Sequence, residues 1–376
     1  MQVIVFDDPQ ALAPHLPAWD ALAIDRGRPF CAPGWMLSWW HEARMGDARL
    51  RVILVFDEQG LAGVGPFFAQ VAFGLVEMRL LGAGFSHRIG PLATAGREEP
   101  VAGALAAALA TMQPRPASIV FEGINCEDPW PDAIAASWPS RRAPRQRTDA
   151  VMDAPVIELD AAYEEWLERR SRRFRKEARR LARRLEEDGV SGRIASDEEA
   201  IDALLELHHA RWEHRGGSNV GDTARAVIVG AARELPSEGR LAVAVLEAPS
   251  GPVAAELVLR AGDSAAFWGG GFQPEWANHA PGTQAMLLAL RTLSEQGVRI
   301  VDLGGGAHDY KQRLADANRP IAWRTVFPRG PRYPLIRARL APKHARQAAR
   351  RLVRRLPANQ QERLTHVRSR LRRGSR

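Results

Sequence analysis

Residues 241–259, LAVAVLEAPSGPVAAELVL, read as an apolar strand, a turn at Pro249-Ser250-Gly251 and a second apolar strand, which is a hairpin signature. Residues 51–68, RVILVFDEQGLAGVGPFF, repeat the pattern with Gly60 in the turn. The likeness extends to both sides of each hairpin. Upstream lie two Trp/His-rich stretches of helical character, WMLSWWHEARMGD at 35–47 and LLELHHARWEHRGG at 204–217. Downstream, RLLGAGF at 79–85 parallels FWGGGF at 267–272, and each is followed by a polar loop and an Ala/Leu-rich helix, over 100–112 and 282–296. Both helices lead into a short apolar strand, ASIVFEG at 117–123 and VRIVDLGG at 298–305. Helix, hairpin, glycine-containing strand, helix and strand are thus written twice, and self-similarity of this extent marks a duplicated structure.

The expected fold class is therefore α/β, of the α+β kind. It consists of two mixed-sheet halves, 1–150 and 151–330, related by duplication, with a basic helical tail over 331–376. The connector RRAPRQRTDAVMDAPVIELD, at 141–160, ends in a strand expected at 155–159. A basic helix is expected over 166–187. Its apolar positions Leu167, Phe174, Ala178, Leu181 and Leu185 fall on one face at helical period, and Gly189 supplies a stop.

Charge is spread unevenly. The whole chain carries +8, yet residues 331–376 hold 15 Arg and Lys against a single acid, Glu362, so the remainder is net acidic. Within that remainder, residues 166–185 concentrate ten basic side chains against two acidic ones. Basic amphipathic segments of this kind suit an anionic membrane surface or RNA, and one or the other is the expected partner of 166–187 and 331–376. Cys31 and Cys126 stand in unrelated contexts, which argues against a disulfide framework. With no secretory-type N-terminus and no apolar run of about 18 residues, the expectation is a cytoplasmic protein, peripheral to the inner membrane face.

Several of these stretches together resemble a known family. They are SRRFRKEARRLARRLEEDG, LHHARWEHRGG, GPVAAELVLRAGDSAAFWGGGFQPEW, PGTQAMLLALRTLSEQGVRIVDLGGG and the closing Tyr310-Lys311. Over residues 160–315 the set resembles the BioF2-like acetyltransferase domain of the GNAT superfamily, found also in proteins associated with cellulose biosynthesis. More distantly it is similar to the Fem aminoacyl transferases, which use a doubled GNAT fold. The resemblance implies an N-acyltransferase with a tandem GNAT-like fold. Its donor would be acetyl-CoA or another acyl-CoA, and its acceptor the amine of a small molecule such as an amino sugar or envelope polysaccharide precursor. The Fem branch implies aminoacyl-tRNA as the alternative donor. A catalytically silent GNAT scaffold in polysaccharide assembly is a third reading.

The residues themselves can carry such chemistry. A run such as Gly269-Gly270-Gly271 inside a strand often marks a bulge or a close approach by a ligand; in the GNAT fold this strand splays from its neighbour and pairs with the donor's pantetheine arm. Pro281-Gly282-Thr283 opens a helix, whose N-terminus suits a pyrophosphate. Only Gly282 matches the family's Arg/Gln-x-x-Gly-x-Gly/Ala phosphate loop. Amine acylation needs a base to remove an ammonium proton. Asp302, at a strand end beside Gly304-Gly305-Gly306, and Glu256, inside an apolar strand, are rival candidates, with His308 or water as further choices. By the resemblance Tyr310 would protonate the leaving thiolate and Lys311 would stabilise the oxyanion or bind donor phosphate. His209, Trp212 and Trp268 are expected to line the acceptor cleft. His208, His209 and His214 lack metal-site spacing, so no metal is expected.

Overall fold

The computed structural model describes residues 1–72, 74–160, 162–212, 221–235, 239–306, 308–330 and 333–342. The strands of the first half are β1 (Gln2–Phe6), β2 (Arg49–Asp57), β3 (Gly60–Ala72), β4 (Leu75–Leu80), β5 (Leu92–Ala93), β6 (Ser118–Asn125) and β7 (Arg145–Met152). Then follow β8 (Pro155–Glu158), β9 (Ser191–Ala195), β10 (Leu241–Ala248), β11 (Gly251–Ala261), β12 (Ser264–Phe272), β13 (Ile300–Asp302), β14 (Ala317–Asn318) and β15 (Ile321–Phe327). The helices are α1 (Leu16–Asp25), α2 (Pro33–Ala43), α3 (Glu98–Thr111), α4 (Trp130–Ala136), α5 (Tyr163–Glu168), α6 (Arg172–Glu187), α7 (Glu198–Trp212), α8 (Asp222–Glu234), α9 (Pro281–Glu295) and α10 (Asp309–Leu314).

Two mixed sheets repeat one plan. The first runs β1-β2-β3-β4-β6-β15-β7, and the second, read in the same sense, β9-β10-β11-β12-β13-β8-β14. Each has four antiparallel neighbours, one parallel junction (β4 with β6, β12 with β13), and two further antiparallel strands. The hairpins match in detail. Asp57 pairs with Gly60 and Ala248 with Gly251, and each ladder shifts register next to its turn. Gly60 and Gly251 sit at φ +120 and +123, a conformation that only glycine enters without strain.

The structure moves the expected boundaries. The division at residue 150 falls inside β7, and β15, expected in the second half, lies in the first sheet. An exposed strand edge must be covered, and each half covers the edge beside its parallel junction with a strand from outside its own span. β6 receives β15 from after the second half, and β13 receives β8 from the connector. The basic helix is also shorter than expected. Helix α5 ends at Glu168, and α6 starts afresh after Ser171, whose hydroxyl accepts from Phe174 N at 3.2 Å as an N-cap. Leu167 therefore belongs to α5. The stop at Gly189 is as read: φ is +76, with Gly189 N bonded to Glu186 O and Val190 N to Leu185 O. In the tail, residues 333–342 are helical, with Ile336 and Leu340 packed on Ala117 and Phe327; residues 343–376 lie outside the described residues.

A continuous core joins the halves, running from Trp19 and Trp35 through Phe67 and Leu204 to Val243 and Leu257. Helices α2 and α8 meet at small residues, Gly34 against Glu234 and Gly230 against Ser38. Arg240, 3% exposed, reaches from the second half to both oxygens of Asp20 on α1, at 2.8 and 3.0 Å. Removing one member of a buried pair strands the other charge, so Arg240→Ala is expected to cost about 3–5 kcal/mol. Urea unfolding of the full chain measures this, and a loss below about 1 kcal/mol would show that the pair does not hold the halves together.

Candidate active site

The parallel junction of the second sheet is short. β12 and β13 pair only from Ser264 to Ala266 and from Ile300 to Asp302. There β13 ends, while β12 runs on to Phe272 with β11 as its ladder partner. The wedge between them opens into a cleft of about 850 Å³, with Phe267–Gly270 on one wall and Asp302–Gly305 on the other. The first half closes it with Phe30 and with Phe85, Ser86 and His87 from the loop after β4.

Local sequence shapes the β12 wall. Leu257 opposes Gly269 while Val258 opposes Phe267, so Trp268 is the extra residue of a bulge. Its indole N–H donates to Phe85 O at 3.0 Å, and the two rings lie 5.0 Å apart. The three glycines serve different ends. A Cβ on Gly269 would meet nothing within 4 Å. One on Gly270 would stand between 2.1 and 2.3 Å from the carboxyl atoms of Glu256, which therefore lie across the glycine. One on Gly271 would meet the main chain of Leu207 and His208 on α7 at about 2.2 Å. Gly271, expected to bind the donor, instead lets a helix approach the strand.

Charged groups converge on this wall. Glu256, 7% exposed in the middle of β11, has its carboxyl pushed up to about 7 by burial, against the pull of Arg211 and Lys311. Arg211 on α7 points toward Gly270 O (3.5 Å), covers the Phe272 ring at 5.2 Å and hydrogen-bonds Tyr310. Burial and then Glu256 raise the Tyr310 phenol, so it stays protonated, and His308 stacks on it at 6.0 Å. The Lys311 ammonium donates to Gly304 O at 3.1 Å and to Gly305 O at 2.9 Å, leaving one of its three N–H donors for a ligand. Burial lowers its pKa, opposed by Asp302 and Glu256. Asp302, 4% exposed, lies 2.8 Å from Arg88 Nε and accepts from Gly304 N at 3.2 Å. Burial also lowers His87, and takes His208 down to about 4.

Of the residues singled out from the sequence, Glu256, Asp302, Tyr310, Lys311, Trp268, Gly269, Gly270 and Thr283 line this one cleft. Gly282 stands just behind it, where a Cβ would lie 3.7 Å from Glu256 Oε1. His209 does not reach the cleft: it is exposed, and His208, one residue and about 100° around α7, lines the cleft instead. The Trp212 side chain and His214 lie outside the described residues. Sequence reading missed Arg211, although it sits within the quoted LHHARW stretch, and it missed every first-half contributor. The only signal for these was the parallel between RLLGAGF and FWGGGF, which places the loop after β4 where the duplicated plan has its wedge. Among the described residues no His, Cys, Asp and Glu side chains gather as a metal site needs, and no helix is long and apolar enough to cross a membrane.

Residues 172–312 match the family model described as an acetyltransferase (GNAT) domain. The crystal structure of FemX superposes with a TM-score of 0.62 at 12% identity, covering 89% of this chain and 100% of FemX. A conserved protein of unknown function from Bacteroides thetaiotaomicron gives 0.53 at 11%, covering 87% and 100%. The C-terminal domain of a putative lysylphosphatidylglycerol synthetase from Agrobacterium fabrum gives 0.51 at 12%, covering 84% and 91%. No curated protein matches the chain in sequence. At such identities the structural likeness speaks for the fold alone: the chain shares the fold of FemX, and its residues 172–312 carry the GNAT-domain match.

Proposed function

We propose that this acyltransferase, with a GNAT domain at 172–312, takes its acyl group from acetyl-CoA or a longer acyl-CoA and delivers it to the amine of a small molecule. The observation that carries this reading is the stretch of β12 that runs on past its pairing with β13, with Glu256 buried beneath Gly270 and Lys311 and Tyr310 opposite. The donor's amide-bearing arm lies along β12 as an added strand, which brings the thioester carbonyl to Lys311. The Glu256 carboxylate takes a proton from the acceptor ammonium, and the freed nitrogen forms the new C–N bond. As the C–S bond breaks, Tyr310 protonates the departing thiolate and is reprotonated by the nitrogen's second proton. One ammonium donor on the developing oxyanion is worth roughly 3–4 kcal/mol. Asp302, held by Arg88 and Gly304, anchors the loop whose carbonyls hold Lys311 rather than acting as base. The aromatic walls Phe85 and Trp268 suit the flat apolar face of a sugar ring, which favours an amino sugar as acceptor.

Because the base form of Glu256 is required, kcat/KM is expected to rise about tenfold per pH unit up to pH ~7 and to level off above it. A flat profile between pH 5.5 and 8 would remove Glu256 from the role. Donor choice is tested by thermal-shift titration with acetyl-CoA and decanoyl-CoA, since a ligand that binds the native state raises its apparent stability. No shift with either at saturation overturns the CoA reading.

A second reading, transfer from aminoacyl-tRNA, draws support from α6. Arg172, Arg173, Lys176, Arg180, Arg183 and Arg184 are exposed along about 18 Å of helix, more positive charge than the phosphates of CoA need. Tight RNA binding that weakens steeply with salt would favour it; binding to anionic vesicles instead would make α6 a membrane contact.

A further inference from the structure

Arg88 belongs to the first half, in the loop between β4 and β5, but its side chain serves the second. Its guanidinium Nε lies 2.8 Å from Asp302 Oδ2, and its Nη2 donates to Ala154 O at 3.2 Å and Arg319 O at 2.8 Å. Nη1 bonds Asn125 at the end of β6, and the Arg88 main-chain N–H donates to Gly123 O at 2.7 Å. One side chain, 12% exposed, thus touches β6, the residue before β8, the link between β14 and β15, and the end of β13. The backbone at Arg88 is left-handed, with φ +54. A bulky residue holds that conformation only where its surroundings over-determine it.

The contacts continue from Asp302. Its other oxygen accepts from Gly304 N, and the carbonyls of Gly304 and Gly305 hold the Lys311 ammonium. Gly304 and Gly306 are left-handed, at φ +75 and +100, and Gly306 N donates to Asp153 O at 2.8 Å. A loop this rich in glycine has little stiffness of its own, so its shape depends on what grips its ends. In the first half the loop that carries Arg88 follows β4 and bonds β6, the strand across the corresponding junction, at Gly123 O.

We infer that Arg88 is a positioning residue for acyl transfer, through which the first half sets the geometry of Lys311 by way of Asp302 and the Gly304–Gly306 loop. This rests on the reading of Lys311 as the group that binds the acyl oxygen. The first half is then a fixed part of the site rather than a second, separate catalytic unit.

Two measurements on the full chain test it. The first needs neither donor nor acceptor: Lys311 acetylation by acetic anhydride is followed against pH by peptide mass spectrometry. Lys311 faces Asp302, Glu256, Arg211 and His87. In Arg88→Gln the Asp302 carboxylate loses its partner and holds the ammonium more strongly, so half-modification is expected to move up by about one pH unit. The second is steady-state transfer, where kcat is expected to fall on the order of 10²-fold with donor KM nearly unchanged. Arg88→Lys, which keeps the charge without the fork, should restore the titration and only part of kcat. An unmoved Lys311 titration in folded Arg88→Gln overturns the inference, whatever the transfer assay gives. Should Arg88→Gln not fold, wild-type kcat in Arg88→Lys overturns it. A wild-type protein that transfers nothing sinks the acyl-transfer reading instead, and the titration still decides whether Arg88 acts on Lys311 through Asp302.

Discussion

Replacing Glu256 by glutamine is expected to stop acyl transfer while making the protein harder to unfold at alkaline pH. The first effect follows from the loss of a base held beneath the cleft; such groups contribute about 10²–10⁴-fold. The second follows from linkage. Burial raises the folded-state value from 4.5 to about 7, so the folded protein holds this proton more tightly than the unfolded chain does. Stability from this group is complete below about pH 4.5, falls as pH rises toward 7, and is then lower by about 3 kcal/mol. Glutamine never ionises and escapes that loss. The melting temperature of Glu256→Gln should therefore exceed the wild type's at pH 8, with the gap closing near pH 5. A variant that keeps wild-type turnover would refute the assignment of the base, and one that melts earlier at pH 8 would refute the burial argument.

The neighbouring glycines should respond to alanine in opposite ways. At Gly270 the atoms nearest the new methyl are those of the Glu256 carboxyl group, the end of a flexible side chain. The carboxyl group swings aside at little cost in stability, about 1 kcal/mol or less, but the base leaves its place, and transfer should fall about 10²-fold. At Gly271 the methyl meets the α7 main chain, which cannot swing aside. Overpacking of this kind costs about 1–3 kcal/mol, so Gly271→Ala should unfold at clearly lower urea. Equal unfolding curves for the two variants would show that α7 does not rest on β12 as described.

What the sequence disclosed and what it withheld divide along physical lines. Hairpins, glycine strand and helices were readable because alternation, turn residues and helical period are local, and their recurrence exposed the duplication. The strand exchange was not readable. IAWRTVF at 321–327 looks like any short apolar strand, and nothing local says that it pairs with β6, some 200 residues earlier. The same limit hid Arg88, whose partners are scattered over four segments. Reading the wrong histidine on α7 has a smaller cause: adjacent positions on a helix point about 100° apart, and the buried stripe of Ile201 and Leu204 continues at helical spacing to His208, not to His209. The carboxylates could be named from the sequence but not ranked, since only the fold reveals that Asp302 has an arginine beside it and that Glu256 lies under a glycine.

The exchange of β15 and β8 also bears on how the protein is made. While a ribosome is still extending the chain beyond Met152, the first sheet has every strand except the one that sits between β6 and β7. That strand emerges only after residue 327 is joined, roughly ten seconds or more later at ordinary elongation rates. Until then β6 shows a bare edge and β7 has nothing to hold, so the nascent first half must wait, open to stray pairing, for the last lines of its own text.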